Sequence, residues 1–210
     1  MNSKKMKVTQ VFKHKKYSIN DAEFYLLTPT KEAVLKVGKI IDKVYKPHRS
    51  GIHNQDLDYI YENDKYERDN SDTNGASISF LFSYEGKCIA FLGDAHAEEI
   101  IDNNNEILKK THIDFVKLPH HGSPYNVSEE LIKLLGCSKF IISTNQAVEK
   151  KTIARIVHAV DKCKLYCNYS WFNRTSYFTE KDKEKYIKTE KLVMKELNKD
   201  EFWNMGDENN

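Results

Sequence analysis

A chain of 210 residues, 40% hydrophobic and 30% charged, is long enough to bury one core and reads as a single globular domain with or without a tail. Its 33 basic residues nearly cancel its 31 acidic ones, so the net charge of +2 supplies no global field for nucleic acid or a membrane surface. No apolar run approaches a membrane span, and the opening MNSKKMKVTQVFKHKK has basic residues with no apolar core behind them, so neither an anchor nor a secretory leader is expected. The expected compartment is the cytoplasm. Cys88, Cys137, Cys163 and Cys167 fall in apolar segments of a chain too large to need staples and read as reduced core thiols.

In chain order, EFYLLTPT reads as a short strand ended by Pro29, and KEAVLKVGKIIDKVY as a helix with Ala33, Val34, Val37, Ile40, Ile41 and Val44 at helical spacing. Residues 46–75 are polar and turn-rich, a long loop carrying His48, His53, Tyr59, Tyr61 and Tyr66 that is either functional or mobile. SISFLFSY places Ile78, Phe80, Phe82 and Tyr84 on one face, and KCIAFLG, after the EGK turn, is apolar on both faces, as a central strand would be. Beyond GDAH, AEEIIDNNNEILKK reads as a helix and HIDFVKLP as a strand. After HHGSPYN comes the helix SEELIKLL, with Ser128 at its N-cap. SKFIISTN, KKTIARIVHAVDK and CKLYCNYS continue as strand, helix and last strand, with Cys163 and Cys167 facing one way. Residues 179–210 read as a charged, helical tail. This alternation is α/β organisation, with parallel neighbours joined by right-handed crossovers.

The ordering has a chemical consequence. Asp94 follows one strand, His120 and His121 follow the next, and a helix joins them, so carboxylate and imidazoles should share one sheet edge. These donors suit zinc, manganese or iron, and a carboxylate can bridge two metals. Each residue also has a plainer reading. Asp94 can cap the following helix, His96 can be a solvated first-turn residue, and the two imidazoles can form a polar turn.

On NGASISFLFSYEGKCIAFLGDAH, DFVKLPHHGS and FIISTN, with LLTPT before them and CNYSWF after, residues 8–178 resemble the second half of a metallo-β-lactamase-fold hydrolase. The resemblance is to the branch similar to the hydrolase domain of the bacterial competence DNA-uptake channel. It implies a mixed sheet with flanking helices, as half of an αββα sandwich, with zinc or manganese at the shared edge. It also implies Asp94 as the bridging ligand and His120 and His121 as the active-site histidine pair, at least one of them by the metals.

The departures are specific. None of the eight histidines has the HxHxDH spacing of the family's first half, and no Gly-His-Pro segment follows FIISTN; the next histidine is His158, inside an expected helix. Zinc sites take three or four protein ligands, more than one aspartate and two histidines supply securely. The leading expectation is the C-terminal portion of a metal-dependent hydrolase acting on phosphodiester or other ester bonds, with a missing N-terminal half or self-association as its partner. The alternatives are a degenerate non-catalytic module that keeps the fold for binding or assembly, and a nucleic-acid-binding protein without chemistry, which the near-neutral charge disfavours.

Overall fold

The computed structural model describes residues 11–38, 54–174 and 176–197. Eight strands form one sheet in chain order: β1 (Lys16–Ile19), β2 (Ala22–Thr28), β3 (Ser79–Tyr84), β4 (Lys87–Phe91), β5 (Phe115–Lys117), β6 (Lys139–Ile142), β7 (Cys163–Cys167) and β8 (Leu192–Glu196). β1 to β4 are antiparallel neighbours, while β4 to β8 run parallel. The change of direction follows from the connections. Glu85 and Gly86 both take positive φ, 48° and 75°, giving the two-residue turn that suits twisted hairpins. A parallel step needs a crossover instead. Helices α4 (Ala97–Lys110), α5 (Glu129–Leu135) and α6 (Lys150–Ala159) supply three of them. The chain is therefore α/β, a mixed sheet with flanking helices. No helix among the described residues is long and apolar enough to cross a membrane.

The pleat sorts side chains onto two faces. Tyr25, Leu81, Ala90, Val116, Phe140, Leu165 and Met194 are successive register partners across the sheet, and each belongs to or packs against the main core. That core also holds Ile100, Leu108, Leu131, Ile132, Ile153 and Val157 from the three crossover helices. The opposite row runs Phe24, Phe82, Ile89, Phe115. Phe115, Ile141, Tyr166 and Leu197 form a second cluster with Ile89, and among the described residues no helical one belongs to it. Phe24, Phe80, Phe82 and Phe91 pack against one another on this face at ring separations of 5.1–6.5 Å and are only half-buried.

Most expected elements lie where the sequence places them, including Ser128, whose side chain accepts the Leu131 N–H. Two expectations change, and a third lies partly outside the described residues. The helix expected from Lys31 is described as α1 (Lys31–Val37), and its continuation, with His48 and His53, lies outside the described residues. The stretch expected as loop contains α2 (Leu57–Glu62) and α3 (Asp72–Gly75), capped by Asp56 and Ser71. Leu57 and Ile60 are buried in the core, about 1.5–3 kcal/mol each, an anchor too short to show as helical periodicity. Beyond Phe178 the described residues, which end at Leu197, do not form one helix, and the rest of the expected tail lies outside them. α7 (Glu180–Asp182) and a π-helical turn (Lys183–Ile187) lead into β8, which pairs with β7. Buried Asp182 accepts from the Leu57 N–H at 2.7 Å and from Lys150 Nζ at 3.4 Å, while Tyr186 and Lys185 donate to Asp58.

Candidate functional site

The turns after β4 and β5 meet at one edge of the sheet. The His120 N–H donates to the Gly93 carbonyl at 2.8 Å, so the residue before Asp94 and the first histidine are directly bonded. Gly93 has φ +55°, and a Cβ there would lie 2.5 Å from the Ile78 carbonyl oxygen and 2.7 Å from Ser77 Oγ, so only glycine fits. The Asp94 N–H donates to Ser77 Oγ at 2.9 Å, and the Ser77 carbonyl accepts from Thr28 Oγ1 at 2.7 Å. The LLTPT segment thereby supports the Asp94 turn. Burial lowers the Lys117 pKa, opposed by the Asp94 carboxylate nearby.

The histidine turn is strained. His120 (φ 44°), His121 (φ 57°) and Gly122 (φ 83°) are three successive left-handed residues, and only the last is a glycine. Each histidine costs about 1–3 kcal/mol in that conformation. Hydrogen bonds of about 1 kcal/mol each offset it. The His120 carbonyl accepts from the Ser123 N–H, the Gly122 carbonyl from Thr152 Oγ1 at 2.7 Å, and Arg155 Nη1 donates to the Pro124 and Val127 carbonyls. Exposed His121 places Nδ1 2.6 Å from the Ser143 carbonyl, which can only accept. Its Nδ1 therefore carries a proton, and in the neutral ring that leaves the lone pair on Nε2.

Behind His120 stands a polar group that sequence reasoning missed. Asp69 Oδ2 accepts from Asn74 Nδ2 at 2.6 Å and from Asn126 Nδ2 at 3.1 Å, and Oδ1 accepts from the Ser71 N–H at 2.8 Å. Burial pushes the Asp69 carboxyl up, but the bonds from Asn74, Ser71 and Asn126, with the nearby His96, outweigh it and hold its pKa below the ordinary value. Fully buried Asn126 also donates toward the Asp94 and Ala95 carbonyls at 3.2 and 3.3 Å and lies 3.0 Å from His120 Nδ1. The one signal was the polar character of the long loop, which reads as functional or mobile.

His96 departs from expectation. It is the N-cap residue of α4, mostly buried rather than solvated, and its Nε2 lies 3.8 Å from Asp69 Oδ2 with no hydrogen-bond partner among the described residues. Asp94 does not cap that helix. Gly75 makes room for the His96 ring, since a Cβ there would lie 3.1 Å from His96 Cε1. A cavity of about 180 Å³ opens beside Asp69 and His96, lined also by Thr30, Lys36, Arg68 and Glu99. Cys163 and Cys167 are buried core thiols, and Tyr61 stacks on His158 at 3.9 Å, far in sequence from the histidine turn.

Asp94, His120 and His121 are thus gathered at one edge. Yet among the described residues no group of three or more His, Cys, Asp or Glu side chains is arranged to hold a metal ion. Zinc takes three or four such ligands, so a zinc or manganese centre does not fit the described residues alone. No protein-family model matches the chain, and no curated protein matches it either.

Proposed function

We propose that the chain is the C-terminal portion of a metal-dependent hydrolase similar to the metallo-β-lactamase superfamily, acting on phosphodiester or other ester bonds once a completing half is present. The observation that carries this reading is the convergence of the Gly93-Asp94 turn on a doubly left-handed His120-His121 turn, joined by the 2.8 Å backbone bond. Strain of this kind persists where the surroundings over-determine it, and it gathers at active and ligand sites. What these residues supply is a carboxylate and two imidazoles in fixed positions. Among the described residues the ligands are too few for such a centre, so the reading assigns the remaining ligands to the completing half.

The half-buried phenylalanine face of the sheet agrees with a completing polypeptide, because a sheet is stable with both apolar faces covered. The partner in this reading is an N-terminal half bearing the HxHxDH ligands, with self-association of the chain as the outcome when that half is missing. The compartment is the cytoplasm, in keeping with four buried cysteines, none of them in a disulfide.

A second reading, a non-catalytic module that keeps the fold for binding, draws on the burial of His96 and the lack of a three-ligand group among the described residues. Mixing the chain with the first half of a hydrolase of the resembled superfamily, with manganese or zinc, separates the two. The first reading predicts hydrolysis of a chromogenic phosphodiester that neither half performs alone. No hydrolysis from a stable complex supports the second.

A further inference from the structure

The geometry points to Asn126, anchored by Asp69, as the positioning residue that fixes the tautomer of His120, holding the proton on Nδ1 and leaving the lone pair on Nε2. This deepens the proposed function, since it rests on His120 belonging to the site.

The argument begins with which way the Asn126 amide points. One end faces three groups that can only accept: the Asp69 carboxylate and the carbonyls of Asp94 and Ala95, at 3.1, 3.2 and 3.3 Å. Turning the amide over would set its oxygen against all three in a fully buried place. The nitrogen therefore faces them, and Oδ1 faces His120 Nδ1 at 3.0 Å. An amide oxygen only accepts, so the proton belongs on Nδ1.

A competitor stands close by. Asn74 Nδ2 lies 3.3 Å from the same Nδ1 and would favour the opposite tautomer by donating to a bare nitrogen. That arrangement leaves Asn126 Oδ1 facing a second acceptor while buried, at a cost of about 1–3 kcal/mol. Asn74 loses little by yielding, because its amide already donates to Asp69 Oδ2 at 2.6 Å. The Asp69 carboxylate, 3.7 Å from Nδ1, also favours a proton on the facing nitrogen. Free imidazole side chains favour the other tautomer, so the assignment is not a default.

Nitrogen-15 NMR of the intact chain, at about pH 9 where an ordinary histidine is neutral, reads the tautomer of each ring directly. The wild-type His120 is expected with its proton chiefly on Nδ1. Asn126→Leu is expected to reverse the ratio toward Nε2–H as Asn74 takes over, while Asn74→Ala leaves it on Nδ1. A wild-type His120 chiefly in the Nε2–H form overturns the proposal, whether or not the leucine variant folds. A folded Asn126→Leu chain that keeps the Nδ1 proton removes Asn126 from the role. None of these readouts uses activity or metal, so failure of the hydrolase reading would leave them standing, and the reverse.

Discussion

The backbone N–H of His120 is bonded to the carbonyl of Gly93 across a sequence gap that contains a whole crossover helix. Because Gly93 also lies against the Ile78 carbonyl and Ser77 Oγ, the Asp94 turn cannot move without disturbing both the segment that enters β3 and the histidine turn. Gly93→Ala places a methyl 2.5 Å from backbone at a left-handed position. It should cost more than the roughly 1–2 kcal/mol of a left-handed backbone angle alone, about 2–4 kcal/mol in all. Urea titration of the two chains checks this.

The carboxyl of Asp58 responds to acid in a defined window. Burial would raise its pKa, but hydrogen bonds from Lys185 and Tyr186, with the charges of Lys185 and His158, win and lower it to about 2. A carboxylate lowered in the folded state contributes stability above its unfolded value of about 3.9 and loses it as pH falls through the folded one. Wild type should therefore lose its advantage over Asp58→Asn between about pH 4 and about pH 2, in thermal melts taken at each pH. An advantage that is constant through that window contradicts the assignment.

Burial pushes the Cys163 and Cys167 thiols up to about 12 and raises those of Cys88 and Cys137 as well. The thiolate is the reactive form, so a disulfide reagent at about pH 8 should label none of the four in the native chain and all four after unfolding. Rapid native labelling of Cys163 or Cys167 would mean that these thiols are not core residues.

The phenylalanine face predicts a concentration-dependent state. Sedimentation velocity should show the isolated chain associating as concentration rises, and the associated species should fall away when the completing half is added. A monomer at every concentration would show that this face needs no cover.

The sequence was legible where pattern and packing coincide. AEEIIDNNNEILKK became α4 from its first residue to its last, because its apolar positions sit at helical spacing over four turns. Leu57 and Ile60 escaped because a helix of six residues falls short of two turns, and β8 because LVMKE alternates too little within a charged stretch. At the site, the Asp94 and histidine turns were placed at one edge by strand order alone. Asp69 and Asn126 were not, since their roles arise from a loop folding back over 57 residues of sequence to a turn asparagine. His96 was misjudged because its burial depends on the space left by Gly75, which no local pattern encodes.

Elemental analysis after dialysis against zinc or manganese, on the chain alone and on its complex with an HxHxDH-bearing half, tests the central claim most directly. The account predicts well under one equivalent on the chain alone and about two in the complex, lost with Asp94→Ala and kept with His96→Ala. Two equivalents held by the isolated chain, or a complex whose metal is indifferent to Asp94→Ala, would contradict it.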